Sequence, residues 1–276
     1  AYPRLMTGAV DIILATAGLK ASGIESVPEN WDEFQIMCDQ IGEWALEEES
    51  EVKALKPSGE GYLYCMDHML AGSEKSRVEG HNIIFQDKSF SDSIDRMKRM
   101  YNSSISENAK YSYRDETKLF NEGKLAIYIN GVWGAPMISK QINAKYALLP
   151  TDKGESMSCI SSSLGYVLGN SGNEEKEKAA VKFLKYMLSK KVQTQILEKT
   201  EQIPANPDIS LESYKENKSR LYQAATLVLD ADEKIEVPNN IWSAEQKDYF
   251  TETIFDVLTG TLSMQEFEEN LENKQK

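Results

Sequence analysis

The chain has 276 residues, enough for one large domain or two smaller ones, each with its own core. Its 41% hydrophobic and 27% charged residues are ordinary for a soluble globular protein. A formal charge of −13, with no basic cluster to offset it, sets the mean field against phosphate backbones and excludes nucleic acid as a partner.

In chain order, the first apolar patch is Val10-Asp-Ile-Ile-Leu14, within a strand expected near 8–14. It is too short to span a bilayer, and residues 1–20 lack the basic-then-apolar pattern of a signal peptide. A helix is expected over 30–48, with Asn30 as N-cap and Glu33 reaching back as in a capping box. Trp31, Phe34, Cys38, Ile41 and Trp44 form its apolar face, so both indoles belong to the core. Further helices are expected over 61–71, 91–103 and 113–122, with a strand near 82–86.

Phe120 to Trp133 is the most informative stretch. Gly123 supplies the left-handed residue that ends a helix, and Lys124 stands where the carboxyl end of the dipole favours a cation. Leu125, Ile127 and Ile129 alternate with Ala126, Tyr128 and Asn130, the period of a strand over 124–130. Asn130-Gly131 reads as a tight turn that presents Trp133 at a strand end, where α/β sheets bind ligands. Helices are then expected over 134–142, 174–199, 211–229, 243–259 and 263–272, and strands near 145–149 and 164–169. Strand and helix alternate throughout, which argues an α/β fold.

Catalytic patterns are scarce. His68 and His81 have no partner at metal-ligand spacing, so neither metal nor cofactor is expected. Lys56-Pro-Ser-Gly-Glu-Gly61 lacks phosphate-loop spacing, and Ser161-Ser-Ser-Leu-Gly165 is not a nucleophile elbow. Asp230-Ala-Asp232 begins like a calcium loop but lacks its glycine and distal glutamate. Cys38, Cys65 and Cys159 are odd in number and widely spaced, and indicate no disulfide. No enzyme is expected, and a carboxylate-dependent glycoside hydrolase is its one serious form.

The phrase from Phe120 to Trp133 resembles the F-x-x-G-x-x-A-x-x-I-N-G-x-W signature of the extracellular solute-binding proteins of bacterial ABC importers, maltose- and oligosaccharide-binding type. Tyr146-Ala-Leu-Leu-Pro150 follows at the family's place. Other landmarks occur in order: Val27 to Phe34, Lys178 to Leu188, Ile203-Pro-Ala205 and Leu258 to Glu266, where Phe267 replaces the usual small residue. The resemblance covers nearly the whole chain. It implies a periplasmic-binding-protein-like (type II) lobe, with a mixed sheet flanked by helices, plus a partial second lobe. Residues 1–163 and 208–276 would form the second lobe, and 164–207 a segment of the first. Ala1-Tyr-Pro3 resembles the place where the backbone first crosses between lobes, so most of the first lobe would lie outside this sequence. An excised fragment, or a protein naturally built this way, would account for that.

The resemblance also implies a sugar or oligosaccharide ligand and ABC permease subunits as partners. It implies an extracellular or periplasmic location, with membrane attachment only through a lipid anchor absent from this chain. Trp133 would stack on a sugar ring, core packing being its bland alternative. Glu60-Gly-Tyr62 resembles the family's E-P-Y, with Gly61 departing from it. Glu60 would accept hydroxyl bonds and Tyr62 would stack, or they are a helix-start acid and a packing ring. Tyr64 is a neighbouring candidate, Trp242 matches the entry to a cleft-side helix, and Asn130 is a turn residue before it is a contact. A scaffold that kept the fold and lost the ligand is the remaining alternative.

Overall fold

The computed structural model describes residues 2–3, 10–73, 85, 88–103, 110–160, 165–216 and 219–274. The described part of the chain opens with β1 (Tyr2–Pro3), β2 (Val10–Ala15), α1 (Thr16–Ala21), α2 (Trp31–Glu47), α3 (Gly59–Gly72), α4 (Lys88–Ser103) and α5 (Tyr113–Asn121). Next come β3 (Ile127–Gly131), a 3-10 turn (Val132–Met137), β4 (Ala144–Leu148), β5 (Met157–Ile160) and β6 (Gly165–Tyr166). After α6 (Glu174–Met187) and α7 (Lys190–Thr200), a 3-10 turn (Glu212–Tyr214) leads to α8 (Ser219–Asp230) and β7 (Glu233–Glu236). A last 3-10 turn (Pro238–Ile241) precedes α9 (Ala244–Leu258) and α10 (Met264–Asn273).

β2 lies between β3 and β4 and pairs antiparallel with both, with Ile12 opposite Ile129 on one side and Ala147 on the other. Alternation along the strands sends Ile12, Leu14, Ile127, Ile129 and Ala147 into the core built by α2, α3, α4, α9 and α10. Ile13, Tyr128 and Tyr146 enter a second cluster with Phe120 of α5 and Leu221, Ala224 and Val228 of α8. Because helices cover both faces, the strands read as near-continuous apolar runs. Two smaller pairs complete the strands: β1 with β6, antiparallel, and β5 with β7, parallel.

Local signals act much as their chemistry dictates. Asn30 Oδ1 accepts the Glu33 N–H at 2.9 Å, while the Glu33 carboxylate accepts from Glu29 N, one residue earlier than a strict capping box. At the end of α5, Gly123 has φ +75, Lys124 N donates to Leu119 O and Gly123 N to Phe120 O, both bonds of a Schellman motif. All three cysteines are buried and free.

Four expectations are corrected. The helix expected over 134–142 is a 3-10 turn that ends at Met137. Pro136 sits inside that turn, and Arg220 of α8 takes the carbonyls beyond it, donating to Ile138 O (2.7 Å), Ser139 O (2.9 Å) and Ile142 O (2.5 Å). The helix expected over 174–199 is two helices, because the Ser189 hydroxyl accepts the Val192 N–H and starts α7 afresh. The helix expected over 211–229 begins only at Ser219. The strand expected over 164–169 shrinks to Gly165–Tyr166, and Val167 beyond it is 84% exposed. Of the strand expected over 82–86, only Phe85 is described, as a buried ring; His81 also lies outside the described residues.

Two buried carboxyls carry a pH signature. Burial pushes Asp67 and Glu116 up to about 8, against hydrogen bonds from Asn239 and Ser58 that favour their charged forms. Between the ordinary carboxylate range and pH 8 the native state therefore holds protons that the unfolded chain has released. The contribution of these two carboxyls to stability is fully present below the ordinary carboxylate range, is lost as pH rises from there toward about 8, then levels. His68, pushed down to about 4 by burial, works the other way below pH 6.5 and softens the slope there. Urea midpoints measured from pH 5 to 9 should decline, and Asp67→Asn should flatten the decline; a rising midpoint over pH 6.5–8 contradicts the assignment.

Arg220 supplies a second test. Arg220→Met leaves three carbonyls short of a charged donor and should cost about 2–4 kcal/mol by chemical denaturation. A loss under about 0.5 kcal/mol would mean that water replaces the guanidinium without penalty.

Candidate functional site

The site grows from the junction of α3 with the end of β3. Ser58 caps α3, its hydroxyl accepting the Gly61 N–H at 3.2 Å. Glu60 is exposed in the first turn, where the helix dipole favours an anion. Tyr64, four residues on, shares its helix face and is half-buried. Its ring meets the Trp133 indole edge-to-face, centroids 5.8 Å apart and planes at 73°. Trp133 is itself half-buried, packed at the margin of the main core.

Two glycines make this placement fit. An added Cβ at Gly131 would lie 2.1 Å from Trp133 Cζ3, so the indole folds back across its own strand end. An added Cβ at Gly134 would lie 2.4 Å from Asn130 Nδ2. Asn130 is not a turn residue: Asn130 and Gly131 are the last two residues of β3, paired with Asp11 and Val10. Its fully buried side chain is a hub. Oδ1 accepts from Gly131 N at 2.8 Å, and Nδ2 donates to the hydroxyls of Tyr128 (2.6 Å) and Tyr113 (2.9 Å). Asn130 is thus a buried structural hub at the end of β3, its amide already hydrogen-bonded within the fold.

Tyr62 and Trp242 are core rings. Tyr62 is 1% exposed and edge-on to Phe255; Trp242 is 4% exposed among Phe85, Phe90 and Phe250. Tyr62 lies two residues from both Glu60 and Tyr64, which turns it to the opposite side of α3. Trp242 precedes the Ser243 capping box of α9, so it closes the helix start over the core.

Two residues escaped the sequence reading. Tyr113, on the first turn of α5, brings its hydroxyl to Asn130 and within 3.5 Å of Met137 Sδ, whose residue is exposed. Glu116, one turn later, lies buried beneath the start of α3, where its Oε2 accepts the Ser58 N–H at 2.9 Å. Their i, i+3 spacing marked a common helix face, but nothing local marked what that face meets. The assembled wall is an aromatic pair with carboxylate and phenol groups at its border, able to stack on an apolar ring face and accept hydrogen bonds. Among the described residues no cluster could hold a metal ion.

Gly131→Ala tests the platform. The new methyl displaces the indole, so Trp133 emission should shift to the red with a loss of roughly 1–3 kcal/mol of stability. Unchanged emission would show that the ring does not depend on the bare backbone.

Residues 12–223 match the family described as bacterial extracellular solute-binding protein. No curated protein is significantly similar in sequence. Among solved structures, a Streptococcus pneumoniae solute-binding protein in complex with the blood group A-trisaccharide aligns with a TM-score of 0.81 and 21% identity, over 98% of this chain and 70% of that one. A chitin oligosaccharide binding protein aligns at 0.76 and 18% identity, over 99% and 71%. Maltose-bound T. maritima MalE3 aligns at 0.70 and 18% identity, over 100% and 71%. At such identities the likeness is one of fold, which is periplasmic-binding-protein-like. The family match is the stronger finding, since it spans 212 of 276 residues (12 to 223). The chain belongs to the bacterial extracellular solute-binding proteins, a family of binding proteins and not of enzymes.

Proposed function

We propose that this protein captures a sugar or oligosaccharide outside the cell and delivers it to the permease subunits of an ABC importer. The observation that carries the reading is the Tyr64–Trp133 pair with Glu60 beside it. A pyranose offers an apolar C–H face to an aromatic platform and hydroxyl donors to a carboxylate, and this wall has both. Solved neighbours in complex with a blood-group trisaccharide and with maltose add weight to the carbohydrate class. Delivery to a permease and attachment through a lipid anchor follow from the family's role. No helix among the described residues is long and apolar enough to cross a membrane.

The same proposal divides the chain into the lobe that carries this wall, 1–163 with 208–276, and a segment, 164–207, of an opposing lobe. Support comes from the outward faces of that segment: Phe183 and Tyr186 of α6 are each 56% exposed, and Val167 and Leu168 are exposed as well. Its later part is anchored, because Leu197 and Ile203 share the buried cluster of α8.

Calorimetry with maltotriose, chitotriose and the blood group A-trisaccharide tests the reading. In the protein with both lobes at least one should bind saturably, with weaker binding by 1–276 alone, and Trp133→Ala should weaken the two-lobed binding about 5- to 150-fold, the equivalent of roughly 1–3 kcal/mol for one stacked ring. Affinity untouched by Trp133→Ala would place the sugar elsewhere, and no binding by any of the three would remove the carbohydrate class.

A further inference from the structure

We propose that Glu116 is a positioning residue of the ligand wall: by holding or releasing a proton beneath the first turn of α3, it sets where Glu60 and Tyr64 stand against Trp133. The inference rests on the reading of Glu60, Tyr64 and Trp133 as that wall. Its own ground is geometric. Glu116 is 1% exposed, and its Oε2 accepts the Ser58 N–H at the N-cap of α3, at 2.9 Å. An added Cβ at Gly61 would lie 3.5 Å from the same oxygen, so the first turn of α3 rests directly on this carboxyl. Pro57 on the other side, 3.0 Å from that Cβ, and Thr251 O, 2.2 Å from a Cβ at Gly59, leave the turn little freedom to move independently.

A carboxyl in this position has two working states. Ionised, it makes a charge-assisted bond to the Ser58 N–H and meets the positive end of the α3 dipole. Protonated, it still accepts through its carbonyl oxygen, but the charge is gone and an O–H donor has appeared. Burial and the like charge of Glu60 favour the protonated state, the Ser58 bonds oppose it, and the balance lies at about 8. The other titratable groups facing Glu116 are Tyr62, Tyr64 and Cys65 of α3 and Tyr128 of β3, all held neutral by burial. Lys56, two residues before Ser58, turns its ammonium to the Tyr101 and Tyr111 rings, 6.0 and 5.8 Å from their centroids. Glu116 therefore takes up and releases its proton at a higher pH than an ordinary carboxylate.

Occupancy of the wall follows with a definite sign. A ligand that covers Glu60 strips its water and strengthens its repulsion of an ionised Glu116. Binding then takes up a proton, and affinity falls as pH rises above about 8.

The test uses the whole chain labelled with 5-fluorotryptophan, the Trp133 resonance being assigned by Trp133→Phe. In the unliganded protein this resonance should titrate with a midpoint near 8. Glu116→Gln should abolish the titration. Glu60→Gln, an exposed change that keeps the fold, should lower the midpoint by removing the like charge, which decides the matter even where Glu116→Gln fails to fold. Asp67→Asn separates the second buried carboxyl and should leave the titration in place. A Trp133 resonance that stays flat from pH 6 to 10, or that titrates unchanged in Glu116→Gln or Glu60→Gln, overturns the proposal. Absence of binding by every oligosaccharide would sink the carbohydrate reading alone, because the fluorine titration needs no ligand.

Discussion

The central strand β2 is hydrogen-bonded along both edges and buried on both faces, and everything else is placed relative to it. Ile12 and Leu14 belong to one core and Ile13 to the other. A slip of one residue would exchange those sets and send each side chain into the wrong helical layer. Register is thereby fixed to the residue, and with it the ends of β3 and β4. Since Gly131 is paired opposite Val10, the turn that carries Trp133 leaves the sheet at one defined point. The edge-to-face contact of Trp133 with Tyr64 at a core margin depends on that frame.

Much of this frame was legible in the sequence wherever the deciding physics is local. Asn30, Gly123 and the apolar stripe of α2 act within a few residues of themselves, and their roles follow from spacing alone. The two-sided burial of the strands also shows in the consecutive apolar residues Ile12-Ile-Leu-Ala15 and Leu125-Ala-Ile-Tyr-Ile129. Several of the failures turn on partners distant in sequence. Residues 134–142 form no α-helix: a 3-10 turn holding Pro136 ends at Met137, and Arg220, some 80 positions away, takes the carbonyls beyond it. The β5–β7 pair went unnoticed because Glu233-Lys-Ile-Glu236 has a polar, mostly exposed composition, and its partner lies far off in sequence.

The residues of the proposed wall divide along the same line. Trp133 stood out through a motif and is partly exposed, whereas Tyr62 and Trp242 are buried, because an aromatic beside a helix start looks the same whether the helix turns it outward or inward. Glu60 and Tyr64 share the outward face of α3 while Tyr62 takes the inward one, a distinction of about 200° over two residues that only the helix orientation decides. Asn130 was seen as a turn former because Asn-Gly is one in isolation. In the fold it is buried, and its amide is saturated by two phenols and a backbone N–H.

The buried thiols have a practical bearing on how the molecule can be observed. Cys38, Cys65 and Cys159 are enclosed, and burial holds each thiol well above its ordinary range, so the nucleophilic thiolate is scarcely formed in the native state. A cysteine introduced on the surface, for instance in place of the exposed Lys140, is then the one reactive sulfur among the described residues of the folded chain. It can take a fluorophore or spin label without removal of the native three. The protein is in effect already a cysteine-light background for distance measurements across its fold.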